Sequence, residues 1–173
     1  MRCLIAPHNA FASCRGTFFL SCFLFKSLTH VQIWTGTYFE RTSLRDLGLR
    51  FQLGHPAGVK CCNPTLAFDD DFILMDINGV HSVALNFCNC ETAQPHDIQV
   101  QLLRMRWYPA TTTNPQTAAT LRLLDHFQMY TFESKGSAFE YYQSLTRLTD
   151  NTGTRQPKVS QFIVYSSQML TDL

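Results

Sequence analysis

Apolar and polar positions are most clearly patterned in the middle of the chain, over residues 72–90. Two runs rich in β-branched and aromatic residues flank Asn78-Gly79. This dipeptide accepts the positive φ angles of a two-residue type I′ turn, so the pattern predicts a β-hairpin. Because both faces of its strands are apolar, we expect the hairpin to be central and covered on both sides.

A two-residue turn at Asn78-Gly79 also predicts the register of the two strands. The expected cross-strand neighbours are Asp76 with His81, Leu74 with Val83, Phe72 with Leu85 and, at the open end, Cys88 with Asp69. Asp76 and His81 would form a polar pair. The same register brings Cys88 and Cys90 close to the segment that carries Cys61 and Cys62.

Weaker patterns predict the elements around the hairpin. We expect short strands at residues 31–34 and 49–53, with one helical turn capped by Ser43 between them. Residues 98–107 alternate with a change of apolar side, which predicts a third strand with a bulge. Pro115 would begin a helix that runs to about Tyr130. A capping box at Ser137 would begin a second helix. The expected buried stripe of the second helix is Phe139, Tyr142, Leu145 and Leu148.

These elements together predict a small α+β domain with a central antiparallel β-hairpin or sheet and two C-terminal helices. A chain of 173 residues is long enough to bury one core. We expect an irregular N-terminal extension at residues 1–28, a cysteine-cluster domain at residues 29–155 and a C-terminal tail at residues 156–173.

Composition narrows the class of protein. A hydrophobic content of 45% argues for a packed domain, and a net charge of +1 lacks the basic footprint of a dedicated nucleic-acid binder. The apolar run at residues 17–25 is too short to span a bilayer, so we expect no membrane association. An odd number of cysteines, seven, fits bound metal in a reducing compartment better than a disulfide framework. We therefore expect an intracellular protein.

Cysteine and histidine residues near the ends of the hairpin predict a zinc site. The candidate ligands are His55, Cys61 or Cys62, Cys88 and Cys90. Zinc prefers four such ligands in a tetrahedron, and with all four positions filled by protein the ion would be structural. Cys61 and Cys62 point in different directions, so one should bind metal, and the sequence leaves open which. His81 lies seven residues from Cys88, about 23 Å along an extended strand, and cannot share the ion.

The chain contains no complete catalytic motif. A nucleophile elbow, a phosphate-binding glycine loop and paired carboxylates are all missing from the sequence, so we assign no catalytic residues and no small-molecule substrate. An alternative is the start of a ribonuclease H-like nuclease core in which Asp76 would bind a metal ion. A further alternative is a domain that binds only other proteins.

Basic and aromatic residues interleave at Arg104, Arg106 and Trp107, where they could contact nucleic acid. A looser set consists of Arg41, Arg45 and Arg50. For each of these arginines, exposure on the solvent side of an element is the simpler interpretation.

Seven ordered motifs resemble the CxC-type cysteine-cluster domain associated with the KDZ transposases of fungi. They are WTGTYFERTSLRDLGL at 34–49, QLGHP at 52–56, DINGVH at 76–81, FCNC at 87–90, QLLR at 101–104, YPAT at 108–111 and LTDNTG at 148–153. The resemblance implies Zn²⁺ bound by the same candidates, His55, Cys61 or Cys62, Cys88 and Cys90. It also implies DNA, transposase or chromatin proteins as partners, and hence a nuclear location.

Two departures from the family change what the resemblance implies. Cys14, Cys22 and His30 are widely spaced where family members carry closely spaced cysteines and histidines, so the sequence leaves open whether a second zinc site is retained. The chain also ends before any transposase catalytic region, which suggests a truncated or stand-alone remnant of a transposon protein.

Overall fold

The structure is a computed structural model that describes residues 2–5, 30–56, 59, 61–67, 71–90 and 97–152. The elements in this part of the chain are β1 (Arg2–Ile5), β2 (His30–Trp34), β3 (Phe39–Thr42), β4 (Arg50–Gln52), β5 (Pro64–Leu66), β6 (Phe72–Asp76), β7 (Gly79–Cys88), α1 (Ile98–Arg104), β8 (Trp107–Pro109), β9 (Thr117–Thr120), α2 (Leu121–Ser134) and α3 (Ala138–Thr149). The predicted α+β class, with two C-terminal helices, is confirmed.

The larger sheet has six strands and is built around the hairpin of β6 and β7. Its order is β4-β7-β6-β9-β8, and β5 pairs with the end of β7. Asn86 of β7 lies between Gln52 of β4 and Leu66 of β5, so β4 and β5 pair with opposite edges of the same strand. The strands β1, β2 and β3 form a separate sheet. The predicted strands at residues 31–34 and 49–53 correspond to β2 and β4.

Apolar side chains cover both faces of the hairpin, as predicted. One face, with Phe72, Leu74 and Val83, joins a core to which α1 adds Leu102. The other face, with Met75 and Val80, packs against α2 and α3. The alternation of side chains along β6 and β7 therefore places two hydrophobic clusters on opposite sides of the sheet.

The predicted register of the hairpin is wrong by two residues. Asp76 pairs with Gly79, Leu74 with His81 and Phe72 with Val83, so the turn residues are Ile77 and Asn78. The predicted type I′ turn is also wrong, because neither Ile77 nor Asn78 is among the described residues with positive φ, whereas Gly79, which follows them, has a φ of +137°. A type I′ turn needs positive φ at both central residues. Because the shift is even, each side chain still lies on the predicted face.

The strand pairings of β7 correct two predicted neighbours. His81 lies opposite Leu74 rather than Asp76, and its Nε2 is 2.9 Å from Oδ1 of Asn78. Cys88 lies opposite Pro64 and not beside the predicted Asp69, because β5 pairs with the end of β7 in a register different from that of β6; Asp69 itself lies outside the described ranges.

The predicted third strand at residues 98–107 is wrong for most of its length, because residues 98–104 form the helix α1. The side chain of Asp97 accepts a hydrogen bond from the backbone N–H of Gln99 and caps the helix. Ile98, Leu102 and Met105 all pack against the first core. The change of apolar side that we interpreted as a bulge is therefore the helical period.

The first C-terminal helix begins later than predicted. Residues 117–120 form β9, which pairs in parallel with β6, and α2 starts after Thr120. The hydroxyl of Thr120 accepts a hydrogen bond from the N–H of Leu123 and so acts as the N-cap. Tertiary pairing with the hairpin thus overrides the helical spacing that begins at Ala118.

The second C-terminal helix, α3, begins with the predicted capping box of Ser137 and Glu140. Its buried face is rotated from the predicted one. The buried residues are Tyr141, Tyr142, Leu145 and Thr146. Phe139 and Leu148 are 53% and 54% exposed, so two of the four residues of the predicted stripe do not contribute to the core.

Several predictions fall on residues outside the described ranges. These include Cys14, Cys22 and the proposed tail at residues 156–173. Within residues 1–28, Arg2–Ile5 form β1, which pairs in parallel with β2. The domain boundaries stay predictions. Among the described helices, none has the length and apolar character that a membrane span requires.

Candidate metal centre

Three segments of the larger sheet bring the candidate ligands together at the C-terminal end of β7. His55 lies in the turn after β4, and Cys61 precedes β5. Cys88 is the last residue of β7, and Cys90 follows two positions later. Because β4 and β5 both pair with the last residues of β7, the loops that carry these side chains meet at one place.

The donor atoms of His55, Cys61, Cys88 and Cys90 all lie within 4.8 Å of one another. The Sγ atoms of Cys88 and Cys90 are 3.1 and 3.7 Å from Nε2 of His55, and the Sγ atoms of Cys61 and Cys90 are 3.3 Å apart. Tetrahedral zinc, with Zn–S near 2.3 Å and Zn–N near 2.0 Å, separates its ligand atoms by about 3.5–3.8 Å. The four side chains therefore fit a metal ion of this size with small adjustments.

Cys62 is the remaining thiol of the predicted set. Its Sγ lies 3.1 Å from Sγ of Cys90, on the exposed side of the cluster. Cys61 is half-buried, and Cys88 and Cys90 are buried. The structure thus brings all five sequence-predicted donors to one region, four of them within mutual coordination range.

Gln101 of α1 supports the centre and was missed by the sequence analysis. Its Oε1 accepts a hydrogen bond of 2.8 Å from the N–H of Cys88, and its Nε2 donates one of 2.9 Å to the carbonyl oxygen of Cys88. Gln101 is 1% exposed. The sequence shows only that Gln101 precedes the apolar Leu102. Its burial beside Leu102 follows once residues 98–104 are known to form a helix.

Gly54 permits the close approach of the His55 turn to β7. It has a φ of +78°, and a Cβ at this position would lie 2.4 Å from Cβ of Cys88. The other side of the centre is held by Asn63, whose Nδ2 donates to the carbonyl oxygen of Asn89 at 3.1 Å. The N–H of Asn89 in turn donates to the carbonyl oxygen of Asn63.

The thiols of the cluster differ in their acidity. Hydrogen bonds from Cys62, Cys61 and His55 lower the pKa of Cys90 to about 5. Burial raises the pKa of Cys88 to about 11. A bound cation favours the thiolate form, and would be needed to hold Cys88 as a thiolate at neutral pH.

The candidate nucleic-acid contacts are divided between surface and core. Arg104 and Arg106 are exposed. Trp107 is 6% exposed and packs edge-on against Phe51, so its ring is not presented to solvent. In the looser set, Arg45 pairs with Asp71 at 2.9 Å.

Asp76, the carboxylate of the nuclease alternative, is held by protein groups. It is 2% exposed. Its Oδ1 accepts a hydrogen bond of 2.8 Å from the hydroxyl of Thr120, and its Oδ2 lies 2.5 Å from the guanidinium of Arg122. In the part of the chain that the structure describes, Asp76 does not belong to a group of metal-binding side chains. Among the described residues, the group of His, Cys, Asp or Glu side chains that could hold a metal ion is the one at His55.

The fold and the cluster define a class of protein, the small α+β domain with a Cys/His cluster that could bind a metal. A family model described as "CxC2 like cysteine cluster associated with KDZ transposases" matches residues 44–153, more than half of the chain. The chain belongs to this family, as the sequence motifs predicted. Comparisons with curated proteins and with solved structures gave no significant match.

Proposed function

We propose that this chain is a non-enzymatic, zinc-binding module of a transposase-like protein, with Zn²⁺ bound by His55, Cys61, Cys88 and Cys90. The observation that carries this proposal is the convergence of these four donor atoms within 4.8 Å of one another. Membership of a cysteine-cluster family associated with transposases supports it.

The donor set favours zinc and a structural role. Three thiolates and one imidazole are typical ligands of structural zinc, and four protein ligands leave no position open for a reactive water. The bound ion would connect the turn after β4, the segment before β5 and the end of β7. Its binding free energy would then contribute to folding.

Elemental analysis of the purified full chain tests the proposal. We expect about one zinc per chain, and loss of that zinc in Cys90→Ser because the ligand count falls below four. Cys62→Ser is the matched control, since it removes a thiol of the same cluster that we do not count as a ligand. A wild-type protein that folds without any metal after purification with zinc would contradict the proposal.

We further propose that the partner of this module is DNA, contacted by Arg104 and Arg106. The two arginines lie on the surface around the end of α1, where guanidiniums can reach phosphates. Trp107 has no part in this proposal because it is buried. With a net charge of +1, the contact would have to be local and sensitive to salt.

Fluorescence anisotropy with a short DNA duplex tests this contact across a series of salt concentrations. In the double variant Arg104→Ala/Arg106→Ala, we expect weaker binding and a salt slope lower by about 2, one per lost phosphate contact. Arg147→Ala, on the exposed side of α3, is the control. No binding by the wild type at low salt would instead favour a domain whose partners are transposase or chromatin proteins.

The nuclease alternative predicts magnesium-dependent nicking of DNA that Asp76→Asn abolishes. The contacts of Asp76 with Thr120 and Arg122 favour a structural role for this carboxylate over that alternative. Nicking by the wild type that Asp76→Asn removes would reverse this preference.

A further inference from the structure

The cluster contains one more thiol than a tetrahedral ion can use. His55, Cys61, Cys88 and Cys90 complete a set of four, and Cys62 lies beside it with its Sγ 3.1 Å from Sγ of Cys90. An exposed thiol at this distance from a ligand can react with it when an oxidant is present.

The register of β5 and β7, extended two positions beyond the ends of the strands, pairs Cys62 with Cys90. Pro64 pairs with Cys88 in the antiparallel ladder, and Asn63 and Asn89 continue it through the N–H of Asn89 and the carbonyl oxygen of Asn63. The next pair in this register is Cys62 and Cys90. Directly opposed residues of antiparallel strands have Cβ atoms about 4.5–5.5 Å apart, close to the separation that a disulfide requires.

We propose that Cys62 is an oxidation site that forms a disulfide with Cys90 and thereby opens the metal centre. This inference rests on the proposed zinc site for its effect on metal, but the pairing of the two sulfurs stands on the geometry alone. The Sγ of Cys61 is also within 3.3 Å of Sγ of Cys90, but Cys61 is half-buried and belongs to the set of four donors, so the exposed Cys62 is the thiol open to an oxidant.

A peroxide is the class of oxidant that the reaction needs. The Cys62 thiol passes its proton to water, its sulfur attacks hydrogen peroxide, the O–O bond breaks, and Cys62 sulfenic acid and hydroxide form. The thiolate of Cys90 leaves the ion and attacks the sulfenic sulfur, the S–O bond breaks, and a second hydroxide leaves. The two sulfurs lose two electrons, and the peroxide, after taking up two protons, becomes two waters. The ion then keeps only His55, Cys61 and Cys88 as protein ligands.

The test treats the zinc-loaded full chain with hydrogen peroxide and follows zinc release with a chromogenic chelator. Disulfides are mapped by mass spectrometry of peptides. We expect zinc release together with a Cys62–Cys90 linkage, and restoration of zinc binding by a dithiol reductant. In Cys62→Ser, zinc release should be roughly tenfold slower, because the thiol that reacts with the peroxide is then missing.

The outcomes separate this inference from the proposed function. If neither wild type nor Cys62→Ser binds zinc, the zinc proposal fails, and the peptide map of the oxidised metal-free chain still tests the disulfide. If Cys62→Ser loses zinc while Cys61→Ser keeps it, Cys62 is a ligand and the inference is overturned. Equal release rates in wild type and Cys62→Ser, or a linkage of Cys90 to a different cysteine, would also overturn it.

Discussion

At the scale of single residues, the candidate ligands were recognisable by type and spacing, but the residues that hold them were not. The hairpin register is off by two residues, and β5 pairs with β7 in a register of its own, so Cys88 lies opposite Pro64 rather than beside Asp69. The face of β7 on which Cys88 lies does not depend on either register, and the candidate donors still converge at the end of that strand. The choice between Cys61 and Cys62 depends on how the segment before β5 approaches the end of β7. The contact of Gln101 with Cys88 depends on the packing of α1 against β7. Neither arrangement follows from the local sequence.

Gly54→Ala should destabilise the protein and weaken metal binding. The substitution combines a φ of +78° with a Cβ only 2.4 Å from Cβ of Cys88, so the His55 turn must move away from β7. We expect a loss of roughly 2–4 kcal/mol in the free energy of unfolding. Chemical denaturation with zinc present measures the loss, and a competing chelator measures the metal affinity.

Gly48→Ala is the matched control for Gly54→Ala. Gly48 has nearly the same φ, +74°, and a Cβ there would meet nothing within 4 Å. Only the strain of a left-handed alanine remains, about 1 kcal/mol. Equal effects of the two substitutions on stability and zinc affinity would show that contact with Cys88 does not matter.

At the scale of elements, local capping signals were reliable, whereas the period of short apolar runs was not. The Ser137 capping box begins α3 as predicted because it depends on adjacent residues alone. Residues 98–104 and 117–120 exchanged their predicted types. Seven helical residues and four strand residues are too few for periodicity to decide. Packing on the first core decided the type of residues 98–104, and pairing with β6 decided that of residues 117–120.

The capping box should make the stability of α3 depend on pH. Hydrogen bonds from the N–H and hydroxyl of Ser137 lower the pKa of Glu140 from its ordinary value of 4.5. A pKa that is lower in the folded state adds stability above the unfolded-state value, and this contribution is lost as the pH falls through the folded-state value. Glu140→Gln should therefore be less stable than wild type near neutral pH, and the difference should shrink as the pH falls below the ordinary value of 4.5 and through the lower pKa of the folded state.

Thermal unfolding of wild type and Glu140→Gln at a series of pH values measures this difference, and any loss of metal at acid pH is common to both proteins. Glu133→Gln, a neutralised exposed carboxylate on α2, serves as the control. Ser137→Ala should cost about 1 kcal/mol through the lost N-cap. A difference between Glu140→Gln and wild type that does not change with pH would contradict the role of the ionised carboxylate.

At the scale of the molecule, the hairpin connects two cores that the sequence predicted only as two apolar faces. Asp76 ends β6 and binds Thr120 at the end of β9 and Arg122 in the first turn of α2. These three elements meet through one buried carboxylate. Their meeting could not be predicted, because it depends on the parallel pairing of β6 with β9 across more than forty residues of chain.

Arg122→Met should destabilise the protein, because the buried carboxylate of Asp76 loses the guanidinium and keeps the hydrogen bond from the hydroxyl of Thr120. Because the Arg122 side chain is 47% exposed, we expect a modest loss of roughly 1–3 kcal/mol. The double variant Asp76→Asn/Arg122→Met should lose less than the sum of the two single variants. Additive losses in denaturant titrations would show that the two side chains do not interact.

Removal of the metal should loosen one end of the sheet and leave the other intact. The candidate ligands lie at the C-terminal end of β7, next to the core that contains Phe87 and Leu102. The second core, with Leu123, Phe127 and Leu145, lies on the opposite face of the sheet and contains none of the ligands. Hydrogen exchange of zinc-loaded and chelator-treated protein should therefore show faster exchange at residues 85–90 and 98–104. Exchange in α2 and α3 should change much less. If all elements lose protection together, the zinc would be supporting the whole domain as one cooperative unit, and its role would extend beyond the loops that it joins.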